Sequence, residues 1–398
     1  MSWVQDLVDV FAESESPERF FYWSGLTILS ATLRKNVFLD RHIYKLYPNI
    51  YVFLVAKSGM KKGIPVSNAK KLLEMAGLSR VISGRNSMPK ILEMLGKQYS
   101  LPNGGVIATA QAAIISGELS DLLVKDPDAL TILTDLYNCH EYEEKWENSL
   151  KGTGTDTLKQ PCITILGATN EEHFDAAVTS RDRKGGFIAR TNIVYATDRV
   201  KTNSLVRKPA ADPDLSKFIP YLKDVATLKG QFEWTSETAD FFEDWYNDFK
   251  ANAPDDPYGI YNRIDDTILR IAILLSISKN LDLKMDLDSL KEAKAECLNC
   301  AQGAHQICMG AGKSNYASQT ALIMRALISH PDHKLTRMQI LRRFWGDISA
   351  TDLDLIAETM MGQGAVEVYH VGKDTVYQMP QKIVDEYESY ARKVKGAP

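Results

Sequence analysis

The chain has 398 residues, 44% hydrophobic and 25% charged, with a formal net charge of −4 at neutral pH. At roughly 150 residues per domain it predicts two or three domains, and its composition excludes a largely disordered, collagen-like or disulfide-stapled chain. The slightly acidic balance also excludes a protein that coats itself in nucleic acid; any such contact must come from a local basic patch or a lined channel.

The opening, Met1-Ser-Trp-Val-Gln-Asp6, has neither a basic region nor a following apolar one, so no secretion signal is expected. Residues 2–36 are predicted helical, with Trp3, Leu7, Val10 and Phe11 at helical spacing and a second helix over 17–34 that starts at Pro17. Ile50-Tyr-Val-Phe-Leu-Val-Ala56 is a continuous apolar run, which predicts a strand buried on both faces of a parallel sheet. A lysine-rich loop and a helix over 65–75 follow. The same reading predicts strands over 112–116, 162–167 and 189–196, with helices over 129–139 and 171–178. Strands alternating with helices predict an α/β layer architecture. Residues 200–214 read as a connector. Helices over 216–223, 236–251, 258–279 and 289–311 predict a helical domain. Its apolar stretch over 268–277 is interrupted by Arg270, and no window of the chain reaches the roughly 18–20 apolar residues of a membrane span, so no membrane partner is expected. After a hinge at 310–314, helices over 318–329, 336–344 and 349–363 precede a hairpin of 365–371 and 375–379 that turns at 372–374. This is the winged-helix order. The predicted divisions are an N-terminal helical segment (1–36), a nucleotide-binding core (37–214), a helical lid (215–312), a winged-helix domain (316–380) and a polar tail (381–398).

Four pieces of this chain carry chemistry. After the first buried strand comes Ala56-Lys-Ser-Gly59-Met-Lys61-Lys62-Gly63. Phosphate loops use glycines so that backbone N–H groups can face the anion, and a lysine at the start of a helix whose dipole favours negative charge. In the register G-x-x-x-x-G-K-[ST], Lys62 takes the lysine position. Ala56 and Lys61 replace the two glycines, and Gly63 replaces the hydroxyl residue that would hold Mg²⁺. The second piece is Ile114-Ile-Ser-Gly117-Glu118, where a strand end would offer acidic groups to metal and water. Glu118 sits at the water-activating position, but Gly117 stands where the metal-holding aspartate would be; Asp121, one helical turn on, could substitute. The third is Leu166-Gly-Ala-Thr169-Asn170, a strand end suited to sensing a γ-phosphate. The fourth is the basic, glycine-bearing run from Ser180 through Arg181, Arg183, Lys184 and Gly186 to Arg190, which could deliver an arginine to a neighbouring subunit. Each piece also has a plain reading, as a solvated basic loop, a helix-capping glutamate or a strand-end turn. Together they follow the order an oligomeric ATPase requires.

With these residues the chain resembles the phage and mobile-element replication ATPases of the DUF3987 type, primase-helicase-associated proteins with a RecA/AAA+-like core. The resemblance runs over roughly residues 10–310. It rests on Ser14-Glu-Ser-Pro17 with Trp23, Tyr47-Pro-Asn-Ile-Tyr51, Ser58-Gly59-x-x-Lys62-Gly63, Gly117-Glu118-Leu119, Leu136-Tyr137, Gly167-Ala-Thr169, Gly186-Phe187-x-x-Arg190 and Arg263 leading into Leu269-Arg-Ile-Ala272. It implies nucleotide binding by Ser58, Gly59, Lys61, Lys62 and Gly63, water activation by Glu118, sensing by Asn170 and a trans-acting finger at Arg190. Arg263 and Arg270 are expected as lid residues touching the nucleotide. The implied cofactors are ATP and Mg²⁺. The implied activity is that of a ring-forming, hexameric DNA helicase in the cytoplasm of a bacterial host cell. Single-stranded DNA would be held by loops such as the one bearing Lys184 or the region 86–105, with a primase or polymerase as partner. The alternative from another class is a nucleotide-binding, weakly hydrolysing scaffold or loader, favoured by glycine at both metal positions.

Two further signals are weaker. Cys297, Cys300, His305 and Cys308 nearly spell a zinc knuckle, but on one helix the cysteines share a face that His305 leaves, and the 3–4 spacing with Leu290, Ala293, Ala301 and Ala304 reads as packing. With Cys139 and Cys162, these cysteines are expected as reduced thiols. The third helix of the winged-helix segment carries Asp352, Asp354 and Glu358 without a basic residue, and residues 316–398 hold ten basic and ten acidic side chains. Phosphate contacts need cations, so Arg337, Arg342, Arg343 and Lys373 are better candidates there than that helix.

Overall fold

The computed structural model describes residues 2–118, 128–139, 141–150, 154–178, 186–197, 213–254, 256, 258–310, 316–372 and 374–385. The chain divides into two compact units, residues 1–308 and 309–398, each with its own apolar core.

The first unit is built on an all-parallel sheet. Its strands are β1 (Tyr51–Ala56), β2 (Val81–Ser83), β3 (Gln111–Ser116), β4 (Cys162–Thr169) and β5 (Thr191–Ala196), side by side in the order β5-β1-β4-β3-β2. Every residue of β1 and β4 is buried, as unbroken apolar runs require when helices cover both faces. On one face the hydroxyls of Ser30, in helix Glu18–Leu33, and Thr164 of β4 share a 2.7 Å hydrogen bond. On the other, Tyr51 donates to the Leu133 carbonyl of helix Ala129–Tyr137 at 2.9 Å. Ile165, the neighbour of Thr164, pairs with Tyr51, so the strand's period of two separates the two helix layers. The mixed α/β class expected from the sequence is present, with a sheet compatible with a Rossmann- or RecA-like core.

The structure differs from the sequence reading in several elements. Strand β5 begins at Thr191; residues 188–190 form a 3-10 turn closed by the Arg190 N–H on the Phe187 carbonyl. The region 86–105, expected as a loop, holds helix Met88–Gly96 and strand Tyr99–Ser100, which pairs with Val106–Ile107 just beyond it. Arg80 explains its order: the buried guanidinium donates to the carbonyls of Met94, Leu95, Lys97 and Ile107, satisfying acceptors that a helix end leaves open. A hairpin of Lys145–Leu150 and Gly154–Lys159 went unread because Lys-Trp-Glu-Asn-Ser-Leu lacks apolar alternation. Strand Val37–Asp40 pairs in parallel with Gly230–Phe232, so the helical segment after residue 215 shares the core of the first unit. Among the described residues, no helix is long and apolar enough to cross a membrane.

The second unit places helix Ala317–Ser329, strand Lys334–Thr336, helices Arg337–Arg343 and Ala350–Gly362, and the hairpin Glu367–Val371/Asp374–Gln378 around Ile323, Leu327, Ile340, Leu353, Ile356 and Tyr377. The strand Lys334–Thr336 was not expected; it pairs with the hairpin and makes a three-stranded antiparallel sheet. Thr336 and Ser349 start their helices with reciprocal capping boxes.

Candidate functional site

In a parallel sheet every strand ends on the same edge, so the loops after the strands gather there. The register makes this specific. Thr169 of β4 and Tyr195 of β5 both flank Val55 of β1, and Gly167 pairs with Ser116 of β3. The loop after β1, the Gly117-Glu118 step after β3 and the Asn170-Glu171 step after β4 therefore meet at one edge, on adjacent strands spaced about 4.8 Å apart.

The loop after β1 runs directly into helix Gly63–Ala76. Gly59 has φ +84 and Lys61 φ +55. The glycine expected at 61 is missing, yet its left-handed backbone is kept, at a cost of roughly 1–2 kcal/mol for a residue with a Cβ. Ser16 supplies an anchor: its buried hydroxyl donates to the Lys61 carbonyl at 2.8 Å. The run Ser14-Glu-Ser-Pro17 thus braces the loop from the N-terminal side. Ser16→Ala should cost about 1 kcal/mol and speed amide exchange across 59–63, read by hydrogen-exchange mass spectrometry; exchange rates equal to the parent's would remove this bracing role.

Lys62 turns back over the loop. Its ammonium donates to the carbonyls of Ala56 at 2.7 Å and Lys57 at 2.9 Å. Burial lowers its pKa, and the nearby carboxylates of Glu118 and Glu171 oppose that shift. Lys57, Ser58, Gly59, Lys61 and Gly63 are exposed, and neither Lys57 nor Lys61 has an ion-pair partner among the described residues. The result is an open electropositive loop at a helix N-terminus, a setting that favours anions. A Cβ added to Gly63 or to Gly117 would meet nothing within 4 Å, so chemistry rather than space separates these positions from metal-holding ones.

Glu118 is exposed, with Oε2 3.9 Å from His173 Nδ1. Asn170 caps helix Glu171–Ala177, its Oδ1 accepting the His173 N–H at 2.7 Å. That leaves the Nδ2 donors without a partner among the described residues. Sequence reasoning missed Glu171. Its Oε1 accepts from the Tyr195 hydroxyl at 3.0 Å, so this contact spans the end of β1, between β4 and β5, where the loop departs. The signal was available: Glu171 directly follows the polar end of a buried strand.

The expected arginines lie at the other edge. Arg190 precedes Thr191, which pairs with Tyr51 at the start of β1; over six strand residues this is about 17 Å from the Lys62 loop. Arg190 is 9% exposed and donates to the Gly186 carbonyl at 3.0 Å. Gly186 has φ +85, which favours glycine, and a Cβ there would stand 2.8 Å from Arg190 Nη1, so that guanidinium would have to shift. Arg270 is 2% exposed, and its guanidinium donates to the carbonyls of Tyr47 and Asn49 and to Asn49 Oδ1, over the face of Tyr137. Arg263, exposed, ends the 3-10 turn Tyr261–Arg263. Hence the structure brings Lys62, Glu118 and Asn170 together and groups Arg190, Arg263 and Arg270 elsewhere. Arg263 and Arg270 do not reach the loop of their own chain, and Arg270 is spent on the backbone before β1.

Cys297, Cys300 and Cys308 are buried in the first unit's core, as packed helix positions are, and His305 stacks on Tyr261; among the described residues no three or more His, Cys, Asp or Glu side chains are grouped to hold a metal. In the second unit, Arg337 is tied to Asp354 and to the Ala350 carbonyl and is not available to an external anion; Arg342 and Arg343 stay exposed. Leu119, Asp121, residues 180–184, the connector 200–212, the hinge residues 311–314, Lys373 and the tail from 386 lie outside the described residues. Comparison with protein-family models and with curated proteins yields no match.

Proposed function

We propose that this chain is an ATP-binding motor subunit that assembles as a ring, a hexamer, and moves on single-stranded DNA as a replicative helicase of a phage or mobile-element system. The observation that carries the reading is the strand order β5-β1-β4-β3-β2, which gathers Lys62, Glu118 and Asn170 at one sheet edge. ATP phosphates would lie on the amides of 58–63 and the N-terminus of helix Gly63–Ala76. Lys62 would exchange the Ala56 and Lys57 carbonyls for phosphate oxygens, a charge-assisted contact stronger than the one it leaves. The Nδ2 of Asn170 would donate to the terminal phosphate. Glu118, exposed, would accept a proton from the attacking water. Arg190, at the opposite edge, would have to leave the Gly186 carbonyl to serve a nucleotide held by a neighbouring copy. The second unit, with the helix and sheet order of a winged helix, would recruit a primase or polymerase.

Mg²⁺ fits this site poorly. Gly63 and Gly117 offer no side-chain oxygen at the two usual metal positions. That observation favours a second reading: a scaffold or loader that binds ATP to hold an oligomer together. Turnover of ATP with and without single-stranded DNA separates the two. For the motor, the parent turns over with DNA stimulation and Glu118→Gln lowers the rate about 100-fold or more. For the scaffold, the parent binds ATP with turnover at or near background, and Gly63→Ser with Gly117→Asp, which the open space accommodates, raises the rate to about tenfold above that background or more. Failure to bind ATP at all sinks both.

A further inference from the structure

We infer that Lys57 and Lys61 take the place of a divalent cation at the Lys62 loop, so that the ligand is the metal-free nucleoside triphosphate rather than its magnesium complex. The inference rests on the nucleotide reading of that loop, and goes beyond it in naming the form of nucleotide bound.

At phosphate sites of this kind a divalent ion neutralises phosphate oxygens and is itself held by one or two carboxylates or hydroxyls of the protein. This loop lacks the groups for the second task and has a surplus for the first. Glycine at 63 and 117 supplies no side-chain oxygen. Yet Lys57, Lys61 and Lys62 stand where the usual register needs a single lysine. The two additional ammonium groups carry the charge of one divalent ion. Lysine also suits the task better than arginine. Its ammonium is a compact charge with three donors on a flexible stem, the nearest side-chain counterpart of a small cation.

The backbone gives an independent sign. Glycine is the default residue at a left-handed position, but Lys61 occupies one, with φ +55. Its carbonyl accepts from the Ser16 hydroxyl at 2.8 Å and from the Ile64 N–H at 3.1 Å. A strained residue held in place by its surroundings points to a use for its side chain. The Met60 N–H closes the turn on the Lys57 carbonyl. Met60 itself packs into the core, while Lys57 and Lys61 stand exposed. Neither ammonium makes a hydrogen bond or ion pair among the described residues.

Carboxylates are present as well. Glu118 and Glu171 both act on the Lys62 ammonium. Glu118 lies 3.9 Å from His173 Nδ1, and Glu171 accepts the Tyr195 hydroxyl at 3.0 Å. Among the described residues no carboxylate, Glu15 beside the Ser16 anchor included, lies within ion-pair distance of Lys57 or Lys61. Two carboxylates against three lysines leave the loop cationic, and the helix N-terminus adds to that sign. Magnesium already on the phosphates would remove negative charge that the three ammonium groups otherwise meet, so the free nucleotide is the tighter ligand.

Calorimetric titration of the full chain with a non-hydrolysable ATP analogue, in EDTA and in magnesium at one ionic strength, tests this. The parent is expected to bind about tenfold or more tighter in EDTA. Lys61→Gly removes an ammonium and suits the left-handed backbone. It should keep or raise the thermal midpoint while lowering the EDTA affinity about tenfold or more. Lys57→Ala should lower that affinity likewise. In magnesium both variants change less, so the preference for the free nucleotide narrows in each. A parent that binds no tighter in EDTA than in magnesium overturns the inference and leaves the nucleotide loop standing; if Glu171→Gln then weakens the magnesium form alone, the carboxylates hold the ion instead. EDTA affinities that Lys57→Ala and Lys61→Gly leave at the parent's value overturn it as well. Absence of binding in either buffer removes the nucleotide reading itself, and this inference with it.

Discussion

Lys62→Ala should lower ATP affinity by roughly 100-fold or more and leave the thermal midpoint nearly unchanged. The ammonium would make two charge-assisted contacts to phosphate, each worth about 1.5–3 kcal/mol. In the free chain it holds only two carbonyls on an open loop, groups that water can satisfy once the side chain is gone. Because burial lowers the Lys62 pKa, the sign of the pH dependence is also set. The protonated form binds phosphate, so affinity is full below the pKa of the free side chain and declines as pH rises through it, earlier than for an ordinary lysine. Titration of a fluorescent ATP analogue from neutral to alkaline pH reads both effects. Parent-like affinity in the variant would remove the phosphate role of the loop.

Arg270→Met should do the reverse. It is expected to destabilise the first unit by about 3–5 kcal/mol while leaving tripolyphosphate binding at the Lys62 loop intact. The guanidinium is buried and holds the Tyr47 and Asn49 carbonyls and Asn49 Oδ1, and Asn49 in turn donates to the Tyr137 carbonyl. Methionine fills similar volume but leaves those acceptors dry and unpaired. For a unit of this size that corresponds to roughly a 6–10 °C fall in melting temperature, measurable by calorimetry. A stable variant that has lost phosphate binding would instead return Arg270 to the nucleotide.

The two outcomes mark how far a linear reading reaches. The placing of Lys62 between a buried strand and a helix was legible because it is local: a buried apolar run, a short glycine-bearing loop and a helix constrain one another within about twenty residues. The left-handed conformation at Lys61 was not legible, since the residue usually chosen for it is absent; Ser16, 45 positions away, helps hold it. Glu171 escaped because its meaning depends on Tyr195 reaching across the end of β1. Arg270 was misplaced for the same reason. A lone arginine in an apolar helix reads equally as ligand contact or buried anchor until the carbonyls it meets are known.

Amino-acid order by itself determined the α/β alternation, the buried strands and the lysine-bearing loop that runs from a strand into a helix, because periodicity and backbone preference act over a few neighbouring residues. Only tertiary structure decided the strand order, the edge to which each side chain goes, and the separation of the lysine from the three arginines. Those depend on pairings between distant segments, such as Val37–Asp40 with Gly230–Phe232, whose hydrogen bonds and burial have no signature in either segment alone.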